Sequence, residues 1–144
     1  MANRMNIKIA AAICFISLCS SSSAPPINAA PRTYQPKPGS IERKAILDTL
    51  RKPISKDLKK KVIFKVYQLK ICDGWAWAVV TALRPDGSAL GEDDFWGSAQ
   101  GLLRKRGNKW QVLVSGIATD VAALEETQKK YPNAPQSIFK EDKR

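Results

Sequence analysis

The stretch Trp75-Ala-Trp-Ala-Val-Val-Thr-Ala-Leu-Arg84 decides how the rest of the chain is read. In an extended chain successive side chains point to opposite faces. Trp75, Trp77, Val79, Thr81 and Leu83 then share one face, and Ala76, Ala78, Val80 and Ala82 the other. Neither row carries a charge. A strand apolar on both sides belongs in the middle of a sheet, with cover above and below. One small domain with two short helices leaves the second cover open to a partner chain, so a homodimer through sheet or helix faces is expected.

The segments on either side support a sheet built from hairpins. Asp73-Gly74 is a favoured two-residue hairpin turn. Before it, Val62 to Cys72 alternates as a strand, with Val62, Phe64 and Val66 on one parity and Leu69 and Ile71 on the other. The change of phase near Gln68 predicts a bulge or twist within one strand. After it, Pro85-Asp-Gly-Ser88 turns, and a loop runs to about Phe95. Trp96 to Arg106 reads as a third strand, Gly107-Asn108 as the next hairpin, and Lys109 to Ile117 as a fourth strand. Closely spaced hairpin connections predict an antiparallel meander.

Helices are expected at both ends of this sheet. Ser40 is a good N-cap, Glu42 suits the positive end of a helix, and Ile46, Leu47 and Leu50 lie on one face at helical spacing. Ile41 falls off that face. Pro53 cannot donate to a helix, which sets the first helix at about 41–52, followed by the basic linker Ser55–Lys61. Thr119 or Asp120 can cap a second helix carrying Val121, Leu124 and Tyr131, which Pro132 ends. Ile138-Phe139 is expected to dock, and the charged residues 140–144 to fray. The fold class is α+β: N-terminal helix, four-stranded antiparallel meander sheet, C-terminal helix.

The first 29 residues read as a cleavable secretory signal. Arg4 and Lys8 are a positive start, and Ile9–Leu18 is an apolar run well short of the roughly 20 residues that span a bilayer. Ile27-Asn28-Ala29 approximates a small-residue cleavage site; the alternative, a lipoprotein acylated at Cys19, places Leu18 where a small residue is wanted. The expected organisation is a signal peptide at 1–29, a flexible Pro-rich leader at 30–39, a single domain at 40–139 and a charged tail at 140–144. The expected location is the periplasm or the extracellular space, with no transmembrane segment after processing. Of 144 residues, 115 remain after processing, with Cys72 as the one cysteine. One cysteine cannot form an internal disulfide, and its place in an apolar strand favours burial.

Composition excludes several chemistries. The chain has no histidine, which removes Ser-His-Asp and Cys-His activation and His-ligated zinc. The acidic loop Asp86–Asp94 fits an EF-hand poorly, because Leu90 fills a ligand place and Gly97 stands where a bidentate Glu is needed. Ser137-Ile-Phe-Lys140 matches a Ser-x-x-Lys motif without its companion motifs. No catalytic residue, metal site or cofactor is assigned. The formal net charge of +11 becomes +9 without Arg4 and Lys8, and such a field draws anionic partners. The cations gather in two places: Lys59, Lys60 and Lys61 with Lys56 and Lys65, and Arg104, Lys105, Arg106 and Lys109. These are the candidate surface for an anionic envelope component. Nucleic acid is not expected, since the tryptophans are not interleaved with the basic residues as a single-strand groove needs. Trp75, Trp77 and Trp96 are the candidate lining of a ligand pocket between sheet and helix; the same residues equally suit a core.

The hairpin Leu103-Arg-Lys-Arg-Gly-Asn-Lys-Trp-Gln-Val112 resembles that of cystatin-like and nuclear-transport-factor-like folds, in which a curved antiparallel sheet wraps a helix. Asp73-Gly-Trp-Ala-Trp-Ala78, Thr119-Asp-Val121 and Tyr131-Pro-Asn-Ala-Pro135 also resemble strings in small exported bacterial proteins of unknown function. The resemblance covers about 40–139. It implies a cone-shaped α+β fold, which hosts enzymes, ligand pockets and interaction modules alike. The catalytic members use a His or Asp inside the cone, and this chain places no acidic residue at an inward strand position. The expected function is therefore an exported, non-catalytic binding or interaction module of the cell envelope. The alternative is a small-molecule-binding or enzymatic cone-fold protein with a pocket near Trp75 and Trp77.

Overall fold

A computed structural model of the chain describes residues 30–91, 98–117 and 121–141. The elements run α1 (Ile41–Leu58), β1 (Ile63–Cys72), β2 (Trp75–Leu83), β3 (Ser98–Arg106), β4 (Lys109–Gly116) and α2 (Val121–Lys130), then a short 3₁₀ turn at Gln136–Ile138. The four strands form one antiparallel sheet in the order β1-β2-β3-β4. The fold is α+β, with one helix before the meander and one after it.

The first hairpin closes at Asp73-Gly74, where both residues have positive φ, 49° and 69°. That pair defines a turn whose twist matches the strands it joins, and glycine takes the second place without steric cost. The expected irregularity in β1 is present. Register shifts between Val66 and Gln68 opposite Val80 and Val79, which leaves Tyr67 without a partner. This extra residue moves Leu69 and Ile71 onto the same face as Phe64 and Val66.

Helix α1 is six residues longer than the sequence reading allowed, and most of the expected basic linker is helical. Pro53 lies inside it. An interior proline costs about 3 kcal/mol, through a lost hydrogen bond and a clash with the preceding turn. Two features offset that cost. Ile54 is fully buried in line with Ile46 and Leu50, and burying such a side chain is worth about 1.5–3 kcal/mol. The C-terminus is also well closed. Lys59 adopts a left-handed conformation, its amide donates to Lys56 O at 3.2 Å, and the Lys60 amide donates to Ser55 O at 3.1 Å. This paired closure satisfies two terminal carbonyls. At the other end Ser40 Oγ accepts from the Arg43 amide at 3.3 Å.

The two faces of the sheet are covered differently. Helix α1 lies on the face made by Ala76, Ala78, Val80, Ala82, Ala99 and Gly101, beside Leu69, Ile71, Leu103 and Trp110. Small side chains here let the helix come close. A Cβ on Gly101 would lie 2.3 Å from Leu50 Cδ1, so the helix fills the space a side chain would take. The opposite face carries Cys72, Trp75, Trp77 and Leu102, packed against Ala134, Ile138 and Phe139, with Leu124 and Tyr131 at its margin. Phe139 meets Trp77 edge-on at 5.1 Å, and Tyr131 meets Trp75 at 6.3 Å. The second cover of β2 around Trp75 and Trp77 is therefore the chain's own C-terminal segment. Cys72 is buried and free.

The leader is extended but tied to the domain. Tyr34 exchanges backbone hydrogen bonds with Ile71 at 2.9 and 2.8 Å. The Cys72 thiol donates to Pro31 O, and the Thr33 and Ser137 hydroxyls bond to each other. Gln68 Nε2 donates to Ile138 O at 3.0 Å and Lys140 O at 3.1 Å, and Lys70 Nζ to Lys140 O at 2.6 Å. Leader and tail thus meet along the outer edge of β1.

Candidate functional site

The antiparallel register sends the two basic segments to opposite ends of the sheet. Arg104 pairs with Trp75 at one end of β2, while Ile63 and Ser98 face Leu83 and Thr81 at the other. A nine-residue strand separates these ends by roughly 25 Å at about 3.3 Å per residue. The Debye length at physiological ionic strength is about 8 Å, so the two ends act as independent charged surfaces.

The hairpin end is largely occupied by contacts within the domain. The Arg104 guanidinium lies 4.7 Å over the Trp75 ring and donates to Asp73 O. Lys105 Nζ lies 5.6 Å over the Trp110 ring and pairs with Glu42 at 3.2 Å. Glu42 also accepts from the Tyr34 hydroxyl at 2.9 Å. Partial burial, and then the Glu42 carboxylate, raise the Tyr34 pKa above its ordinary value. Arg106 and Lys109 are exposed at the tip.

The other end is different. Lys59, Lys60 and Lys61 are exposed where the chain leaves α1, and none forms an ion pair with a described carboxylate. Lys60 and Lys61 lie beside the turn after β2 at a shallow, open depression also lined by Arg84, Pro85 and Asp86. A second hollow of about 200 Å3, lined by Leu58, Lys60, Leu90 and Gly91, shares Lys60 with the first. The turn is held by Arg84 N–H to Ser88 O at 2.9 Å and by the Leu83–Ala89 bridge. The Asp86 carboxylate accepts from Ser88 Oγ at 2.6 Å and from the Ser88 amide at 2.9 Å. Those two bonds, with Arg84 nearby, hold its pKa below the usual carboxylate value. Arg84, Leu58 and Leu90 are not among the binding-surface candidates of the sequence. Leu58 falls beyond Pro53, where no helix was expected, and Leu90 lies in a stretch read as loop.

The aromatic candidates separate. Trp75 is packed between Arg104 and Tyr131. Trp77 is 3% exposed and forms one wall of a cleft of about 230 Å3 between β3, β4 and α2, with Gln100, Val114, Ser115, Gly116, Ala123, Glu126, Thr127 and Lys130. Trp96 lies outside the described residues, as do Glu92, Asp93, Asp94, Thr119 and Asp120. Among the described residues no three His, Cys, Asp or Glu side chains come together as a metal site. No described helix is long and apolar enough to cross a membrane.

Comparison of the chain with protein-family models, curated proteins and solved structures gave no match.

Proposed function

We propose that the protein is an exported, non-catalytic binding module of the cell envelope that recognises an anionic partner through the end of the domain bearing Lys59, Lys60, Lys61 and Arg84. One observation carries this reading. Two of the four cations at the hairpin end, Arg104 and Lys105, are engaged with Trp75, Asp73, Glu42 and Trp110, which leaves Arg106 and Lys109 at the tip, whereas Lys60, Lys61 and Arg84 together border one open pocket. Cations already used for packing contribute little to recognition, and cations facing solvent around a concavity are placed to receive an anion. The resemblance to cystatin-like and nuclear-transport-factor-like folds belongs to the same reading, as does the signal at residues 1–29. A homodimer through sheet or helix faces belongs to the same reading, at a place other than Trp75 and Trp77, which Ala134, Ile138 and Phe139 meet.

Co-sedimentation with anionic and zwitterionic vesicles tests the proposal. The expected result is binding to anionic vesicles alone, weakening as salt rises. Substituting Lys59, Lys60, Lys61 and Arg84 with Gln is expected to abolish most of it, and substituting Arg106 and Lys109 to leave most of it. Binding that persists unchanged in high salt, or in the first variant, overturns the assignment.

The cleft beside Trp77 supports a second reading, a small-molecule site with an aromatic wall and polar groups from Gln100, Ser115, Thr127 and Lys130. Saturable quenching of tryptophan fluorescence by a metabolite, lost in Gln100→Leu, is the result that favours it.

A further inference from the structure

The basic end is apolar as well as basic. Leu58 and Leu90 line the smaller hollow together with Lys60, and both pack on the margin of the core under α1. The floor of that hollow is thus an outer edge of the core that the described residues leave partly open to water. Ile63, 41% exposed, stands two residues after Lys61 and pairs with Leu83. Lys60 belongs to both hollows, so the apolar floor and the cationic groove adjoin. An inorganic anion would satisfy only the cations, and a neutral hydrocarbon only the leucines.

We propose that this end binds a single-chain anionic amphiphile, its headgroup between Lys60, Lys61 and Arg84 and its alkyl chain over Leu58 and Leu90. The inference rests on the basic end being the binding surface and adds the class of ligand. Charge complementarity selects the head, because among the described residues the carboxylate lining the groove, Asp86, is turned to Ser88. Apolar continuity selects the tail. A chain laid over Leu58 and Leu90 extends the core outward, and each methylene taken from water tightens binding about fourfold, from about 0.8 kcal/mol per CH2.

Calorimetric titration of the whole protein with butyl, hexyl and octyl phosphate, each below its micelle concentration, tests this. Affinity is expected to rise about fourfold per methylene. Leu90→Ser is expected to flatten that rise, so that the loss of affinity is smallest for butyl phosphate and largest for octyl phosphate. K60Q/K61Q/R84Q is expected to weaken every member at least tenfold without changing the slope. Circular dichroism melts confirm that each variant is folded, and Leu90→Asn serves if Leu90→Ser is not. Equal affinity across the series, with anionic vesicles still bound, overturns the amphiphile and leaves the anionic surface standing. A slope that Leu90→Ser does not alter overturns the position of the tail. If neither the phosphates nor anionic vesicles bind, the underlying reading of the basic end falls as well.

Discussion

One face of the sheet receives a helix and the other an irregular strap, and the side chains beneath explain the difference. Under α1 the middle of the floor is small, with Ala76, Ala78, Ala82, Ala99 and Gly101, and Val80, Leu69, Ile71, Leu103 and Trp110 stand among and around them. Under the C-terminal segment it is Trp75, Trp77 and Leu102. A helix is a stiff cylinder with side chains at fixed spacing, and it comes near a sheet where the sheet's side chains are small. Bulky indoles leave an uneven surface, which a chain with freer backbone geometry, Ala134 to Phe139, can follow. The same sheet thus has a close-fitted face and a pliable one. Deletions should leave lasting cavities in the first and be partly absorbed by the second.

Leu50→Ala tests this most severely. It should cost about 3–5 kcal/mol, near the upper end for buried leucine, because α1 cannot collapse into the space. Phe139→Ala removes more atoms but should cost only about 3 kcal/mol, the lower end for a buried phenylalanine, since the strap can relax. Urea denaturation compares the two, with an unchanged slope marking a true stability difference. A reversed order would mean the strap is as rigid as the helix. Gly101→Ala should cost about 1–3 kcal/mol by overpacking against Leu50. Combined with Leu50→Ala it should cost much less than the sum, because each change relieves the other. On the pliable face, Gln68→Leu removes the side-chain bonds to Ile138 and Lys140, worth about 0.5–1.5 kcal/mol each. It should speed amide exchange at 136–140 before exchange in α1 changes.

The smallest effect is electrostatic and lies at the basic end. Because Asp86 has a lowered pKa in the folded protein, its contribution is present above the ordinary carboxylate pKa. That contribution is lost as pH falls through the lower folded value. Ser88→Ala should return the carboxyl titration toward normal, read by NMR, and remove that part of the acid dependence. No change in the titration would show that Ser88 is not what holds the carboxylate.

Much of the architecture was legible because it rests on local rules. Alternation placed the strands, Asp73-Gly74 placed the first hairpin, and the parity change at Gln68 placed the bulge. The end of α1 was not legible by the proline rule, since a local penalty was outweighed by burial of Ile54 and by the closure at Lys59. The signal that could have found it was the four-residue spacing of Ile46, Leu50 and Ile54, which runs straight through Pro53. Half of the candidate site suffered from the same cause. Lys59, Lys60 and Lys61 stand out in a sequence as charge, but their pairing with Arg84, Leu58 and Leu90 exists only once α1 and the turn after β2 are brought side by side. Charge alone likewise could not distinguish the two basic segments. That distinction depends on Glu42, Trp75 and Trp110, which are remote in sequence or, like Trp75, paired across strands.

The bond between Thr33 and Ser137 joins residues 104 apart. Topologically, the domain is a ring with its clasp at the outer edge of β1. A short linker joining residue 30 to residue 141, with new ends opened at Gly107-Asn108, should therefore give a permuted chain of the same shape. The clasp also bears on mechanics. Tension applied at the two ends would peel Thr33 from Ser137 and Tyr34 from Ile71 one contact at a time, before any load reached the strands behind them.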